Sequence, residues 1–235
     1  MIRAVFLDAG NTLLRMNYAV IAAELERHGV RVTPAEVERA EWRARVRLDA
    51  AAFASPPRGA STESGASAAL YVRLLLEELG VADGAVVSAL IAWRQTYNAP
   101  VGPWDVADPR AAPALGFLRA AGVAAAVISN SNGSVRAILE RLGLAAHLDF
   151  VIDSSEVGVE KPDRRIFGLA LARAGVTPAE AAYVGDLYSV DVLGARAAGM
   201  AAVLLDPGGC WGPRDCATAP DVLSAVRLLL RGRGA

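Results

Sequence analysis

The chain has 235 residues and almost no lysine. Lys161 is the only one, and apart from two histidines every other basic side chain is arginine. Basic and acidic residues nearly balance, for a formal net charge of −1. No broad basic field exists to draw nucleic acid or an anionic membrane, so neither is expected as a partner. Cysteine is scarce as well: Cys210 and Cys216 stand close together in CWGPRDC, and there are no others. A chain of this length can bury a core without a disulfide staple. Two thiols with the distant His28 and His147 also fall short of a zinc set. Reduced, incidental thiols are the expectation. No uncharged apolar run approaches the ~18 residues of a membrane span. Asp8 interrupts the first apolar stretch before a secretory pattern can develop. The expected location is cytoplasmic.

Apolar residues are plentiful, at 54%. Much of this is alanine, which favours helices and close packing. IRAVFLD (2–8) is apolar up to its terminal acid and predicts a short buried strand. From Met16 the periodicity turns helical. A first helix is expected over 17–28. A long second one opens with Thr33 as N-cap and Pro34 at the first helical position. The turn-rich stretch 55–67 predicts a loop, and two more helices are expected near 67–79 and 83–95. No strand pattern occurs between Met16 and Gln95.

Beyond NAPVGPWD the rhythm changes. Strands are predicted over 123–129, 149–154, 181–186 and 201–206, with helical patterns between them and a last helix near 221–231. Such alternation predicts right-handed βαβ units and a parallel sheet covered on both faces. Ligands of such sheets bind beyond the carboxyl ends of the strands. Asp8, Ser129-Asn130, Asp153 with the loop to Lys161, and Gly185-Asp186 all fall there. Trp42, Trp93 and Trp104 are expected to pack rather than to hold substrate. Asp153 and Glu156 are expected to be loop acids.

Four segments in this order resemble the motifs of the haloacid dehalogenase (HAD) superfamily. They are DAGNTL (8–13), VISN with Ser129, EKPD with Lys161, and VGDLYSVDVLGARAAGM with Gly185, Asp186 and Asp191. The resemblance implies an α/β fold with a Rossmann-like parallel sheet and an inserted all-helical cap domain. The core would comprise 1–15 and 96–235, the cap 16–95. It also implies that Asp8 attacks phosphorus and forms an acyl-phosphate. Mg²⁺ would take oxygens from Asp8 and Asp186 and the carbonyl of Gly10, with Asp191 as a further carboxylate of the metal site or just behind it. Ser129 would donate to a phosphoryl oxygen, assisted by the backbone N–H groups of Ala9 and Asn130. Lys161 would neutralise charge on Asp8 and the phosphoryl group. A compact, rotatable ammonium suits a crowded oxygen cluster better than a planar guanidinium.

The chain departs from the pattern at Gly10. Phosphatases of the superfamily usually carry a second Asp there, which protonates the leaving alkoxide and then activates water. Gly10 keeps the carbonyl and lacks that acid/base. Dehalogenases also lack the second Asp, but they use no metal and do not need Gly185-Asp186. Phosphonatases require a cap lysine, and residues 16–95 contain none. Mutases need the second Asp. The expectation is a Mg²⁺-dependent phosphatase of a small phosphorylated metabolite, monomer or homodimer. The rivals are a near-silent HAD-like protein that binds a phosphorylated ligand or a protein partner and, less favoured, a 2-haloacid dehalogenase.

Overall fold

The computed structural model describes residues 1–54 and 61–231. In chain order the elements are β1 (Ala4–Leu7), β2 (Leu14–Arg15), α1 (Tyr18–Arg27), α2 (Pro34–Leu48), α3 (Gly65–Glu78), α4 (Gly84–Thr96), β3 (Val106–Ala107), α5 (Ala111–Ala120) and β4 (Ala124–Ser129). They continue with α6 (Val135–Arg141), β5 (Phe150–Asp153), α7 (Ser154–Val157), α8 (Arg164–Ala174), β6 (Ala181–Gly185), α9 (Leu193–Ala197), β7 (Ala201–Leu205), β8 (Ala217–Ala219) and α10 (Val222–Leu229). Of the loop expected over 55–67, residues 55–60 lie outside the described residues. The rest of it is cut short, because α3 begins at Gly65, where the Ser64 side chain caps the backbone N–H of Ser67 at 3.1 Å.

The chain divides into two compact units. One comprises Met1–Arg15 with Val106–Ala235, the other Met16–Asp105. The sequence pattern assigns 96–105 to the sheet unit, but in the structure this stretch groups with the helices. Asn17 accounts for it: its backbone N–H donates to the Pro103 carbonyl (2.7 Å) and its Nδ2 to Asp105 (3.2 Å).

The sheet unit holds a six-stranded sheet in the order β5-β4-β1-β6-β7-β8, every pairing parallel. All four residues of β1 are completely buried, as its unbroken apolar run requires. One face packs Phe6, Ile128, Phe150, Phe167 and Tyr183 into a common cluster. Each such side chain contributes roughly 1.5–3 kcal/mol by leaving water. Outside this sheet, β2 and β3 form a small antiparallel ribbon right after the first strand's loop, Leu14 opposite Ala107 and Arg15 opposite Val106. The sequence pattern missed β8. ATA is too short to show a period, and two of its three residues are exposed.

The helical unit is α1–α4 around its own core, with Leu25, Val37, Leu76 and Leu90 among the buried residues. The Thr33 side chain caps α2 and Glu36 returns a hydrogen bond to the Thr33 backbone, a complete capping box.

Candidate active site

β1, β4, β5 and β6 lie side by side, and their carboxyl ends collect the polar residues. Asp8 follows Leu7, Ser129 closes β4 opposite Asp153 on β5, and Asp186 follows Gly185 at the end of β6. Asp8, Asp186 and Asp191 are all buried, each with a carboxylate oxygen within 4.8 Å of the others'. Lys161 is the cation among them. Its Nζ donates to Asp8 Oδ1 (2.5 Å), Asp191 Oδ1 (2.9 Å) and the Tyr183 hydroxyl (2.8 Å).

Charge balance sets the electrostatics. The Asp8 carboxyl is pushed up to about 6, because burial, with Asp191 adding to it, outweighs the downward pull of Lys161. Burial also opposes the charge on Lys161, but Asp191 and Asp8 outweigh it and hold the ammonium above its usual range. The cluster therefore sets one ammonium among three carboxyl groups.

Asp191 lies in a π-helical turn, Tyr188–Val192, at the head of α9. Its Oδ2 accepts the backbone N–H groups of Asp186 (3.0 Å) and Leu187 (2.9 Å), so it pins the loop that carries Asp186. Gly185 makes this possible. A Cβ there would come within 2.4 Å of the Asp191 carboxyl carbon, a separation real side chains do not reach. Asn130 does similar work for Lys161. Its Oδ1 accepts the Lys161 backbone N–H (2.7 Å) and its Nδ2 donates to the Lys161 carbonyl (2.9 Å).

Ser129 is buried, its hydroxyl donating to the neighbouring Asn130 carbonyl at 3.3 Å. Ala9 is buried, and its carbonyl accepts the backbone N–H groups of Leu13 (3.0 Å) and Leu14 (2.8 Å), which folds the first-motif loop back on itself. Gly10, half-buried, bridges to Leu14. The Thr12 hydroxyl is buried there with no hydrogen-bond partner among the described residues.

Two residues of the cluster escape a reading of the sequence. Tyr183 looks like a plain strand residue, yet its hydroxyl accepts from Lys161 and donates to the Ile128 carbonyl (3.0 Å). The available signal was its place two residues before Gly185, on the same face of β6. Asn11, at a left-handed φ of 51°, donates from Nδ2 to Asp186 Oδ2 (3.1 Å). Asp153, expected as a loop acid, is fully buried. Its Oδ1 caps Ser155, and its Oδ2 has no partner among the described residues.

A donor set made only of carboxylate oxygens suits a hard divalent cation, and the surplus negative charge is what such an ion would offset. No helix among the described residues is long and apolar enough to cross a membrane.

A parallel sheet with buried acids and a lysine at its carboxyl edge, plus a helical insertion after the first strand, is the architecture of the HAD-like hydrolases. A model of the haloacid dehalogenase-like hydrolases matches residues 2–199, and the chain belongs to this family. It is 34% identical to human haloacid dehalogenase-like hydrolase domain-containing protein 3, over 97% of this chain and 92% of that protein. It is 44% identical to the phosphoserine phosphatase of Thermus thermophilus over 48% of this chain and 45% of that one. The crystal structure of a 2-haloacid dehalogenase from Pseudomonas syringae superposes with a TM-score of 0.59 at 27% identity, covering 98% of this chain and 99% of that one.

Proposed function

We propose that the protein is a Mg²⁺-dependent phosphatase of a small phosphorylated metabolite, with Asp8 as its nucleophile. The observation that carries this reading is the buried cluster of Asp8, Asp186 and Asp191 with Lys161 as its one ammonium. A dehalogenase attacks carbon without a metal and has no use for surplus negative charge beside its nucleophile. A phosphatase uses it to hold a cation. The likeness to a phosphoserine phosphatase adds support, and the likeness to a 2-haloacid dehalogenase is the counterweight.

Asp8 and Asp186 would hold the ion together with the Gly10 carbonyl. Asp191, with one oxygen on Lys161 and the other on two backbone N–H groups, stands behind them. When bound, Mg²⁺ makes phosphorus more electrophilic and reduces repulsion between the two anions. Asp8 attacks phosphorus, an acyl-phosphate bond forms, and the ester P–O bond breaks. Lys161 spreads its charge over Asp8 and the transferring group. Ser129 and the backbone N–H groups of Ala9 and Asn130 cradle phosphoryl oxygens. Water then cleaves the acyl-phosphate and releases phosphate, restoring Asp8.

Gly10 supplies no acid for the leaving oxygen. General acid/base catalysis is typically worth ~10²–10⁴-fold, while enzymes accelerate phosphate monoester hydrolysis by up to ~10²¹-fold. The loss weakens the reaction without abolishing it. It also favours esters whose leaving groups need little protonation, such as aryl and acyl phosphates.

The test is hydrolysis of p-nitrophenyl phosphate. Turnover is expected with Mg²⁺, and EDTA or Asp8→Asn reduces it to background. Metal-independent turnover, or full activity in the Asn variant, would sink the proposal. Thermal stabilisation by a phosphorylated metabolite without phosphate release would favour a binding protein instead.

A further inference from the structure

Asn11 follows Gly10 in the loop that leaves β1, and its backbone takes a left-handed φ of 51°. Residues with a Cβ seldom adopt that conformation; asparagine and aspartate, after glycine, do so most readily. Such an outlier persists only where its surroundings hold it, and it gathers at functional sites. Here the side chain supplies the hold. The half-buried Asn11 donates from Nδ2 to Oδ2 of Asp186 at 3.1 Å, across 175 positions of sequence.

Of the three residue types that suit this φ, asparagine alone brings an amide donor. Glycine has no side chain to reach Asp186. An ionised aspartate would add a fourth carboxylate to Asp8, Asp186 and Asp191, which already outnumber Lys161. The Asn11 amide orders the cluster and leaves its charge unchanged.

Asp186 is thus held at two points. Asp191 accepts its backbone N–H at 3.0 Å and fixes the main chain. Asn11 fixes the carboxylate, and an ion chelated by both oxygens of Asp186 would have to share Oδ2 with the amide. That bond therefore favours ligation through a single oxygen. Mg²⁺ demands near-octahedral geometry and keeps several waters, so one oxygen per carboxylate suits it. Ca²⁺ takes about six to eight oxygens and readily uses both from one carboxylate.

We propose that Asn11 is a positioning residue of the metal site, holding Asp186 to one-oxygen ligation and so setting a preference for Mg²⁺ over Ca²⁺. This role rests on the Mg²⁺-dependent reading of the cluster and adds to it the residue that selects the ion.

Mg²⁺ and Ca²⁺ are titrated separately into the metal-free full chain by isothermal calorimetry, for the wild type and two variants. Asn11→Gly removes the amide, and glycine adopts the left-handed φ without steric cost. Asn11→Asp keeps the size and tolerates the same φ, but replaces the donor by a carboxylate. Asn11→Gly should weaken Mg²⁺ binding roughly 10- to 100-fold, the usual effect of losing a group that orients a metal ligand. Ca²⁺ affinity should hold or rise, so the Mg²⁺-to-Ca²⁺ affinity ratio falls by about tenfold or more. In Asn11→Asp the ratio should fall as well, whatever the added charge does to both affinities. A ratio unchanged in either variant would overturn the proposal. Equal losses for both ions would make Asn11 a residue of loop packing only, and overturn it too. If the wild type bound neither ion, the Mg²⁺-dependent reading would fall and this role with it. Mg²⁺ binding by the wild type with an unchanged ratio in the variants overturns this role alone.

Discussion

The two units each bury acid together with base, and with opposite results. In the helical unit Glu41 is completely buried on α2. Its Oε1 accepts from Arg45 Nε (2.8 Å) and from the Tyr71 hydroxyl; its Oε2 accepts from the Arg45 guanidinium and the Tyr18 hydroxyl (3.3 Å). Glu41 meets Arg45, and each of its carboxylate oxygens is engaged twice. In the sheet unit three acids share one lysine. The first arrangement leaves neither oxygen of Glu41 without a donor. The second is held together by Lys161 but sets three carboxyl groups around that one ammonium, and burial above all, with Asp191 adding to it, raises Asp8. Burial of charge is therefore a poor guide to chemistry by itself. Imbalance is the better sign, because an unbalanced cluster is tolerable only where something else is to be bound.

Four changes would break or sharpen this contrast. Gly10→Asp adds an acid to the already unbalanced cluster. It should raise hydrolysis of alkyl phosphates by up to ~10²–10⁴-fold, and of p-nitrophenyl phosphate far less. An equal gain on both, in steady-state kinetics, would count against a missing acid. Arg45→Met opens the closed cluster by stranding a buried carboxylate, and should cost about 3–5 kcal/mol in urea unfolding. Glu41→Leu combined with Arg45→Met should recover most of that. If the single variant were as stable as the double, Glu41 would not depend on its partner. Lys161→Met removes the lone cation from Asp8, and turnover per folded molecule should fall about 10²–10³-fold, the scale of losing one charged stabilising group. Tyr183→Phe removes only one of the three contacts of the Lys161 ammonium. A hydrogen bond to a charged group contributes about 1.5–3 kcal/mol, so kcat should fall roughly 10- to 100-fold with KM little changed. A change confined to KM would place Tyr183 outside the reaction.

Much of the sheet unit is readable along the chain. Apolar runs ending in Asp8, Ser129, Asp153 and Gly185-Asp186 mark strands whose carboxyl ends must share one edge once the sheet is parallel. The helices of the insertion are readable too, from Thr33-Pro34 and the 3.6-residue spacing behind them. Short elements are not: β8 is three residues long, and β2 pairs with β3 across ninety intervening positions. The Tyr183 hydroxyl is another case, since a strand pattern says which face a side chain takes and nothing of what its far end touches.

The order of the strands' terminal residues follows from hydrophobic periodicity and spacing, which are local and survive in a linear text, and the four motifs there resemble those of one family. The pairing of the charges does not. Lys161 lies 153 residues from Asp8 and 30 from Asp191, and the pairing of β1 with β4 and β6, with Asn130 holding the Lys161 backbone, brings them together. Whether a buried acid is saturated, like Glu41, or left in surplus, like the acids around Asp8, depends on all the donors that packing brings within about 3 Å. That sum exists only in three dimensions.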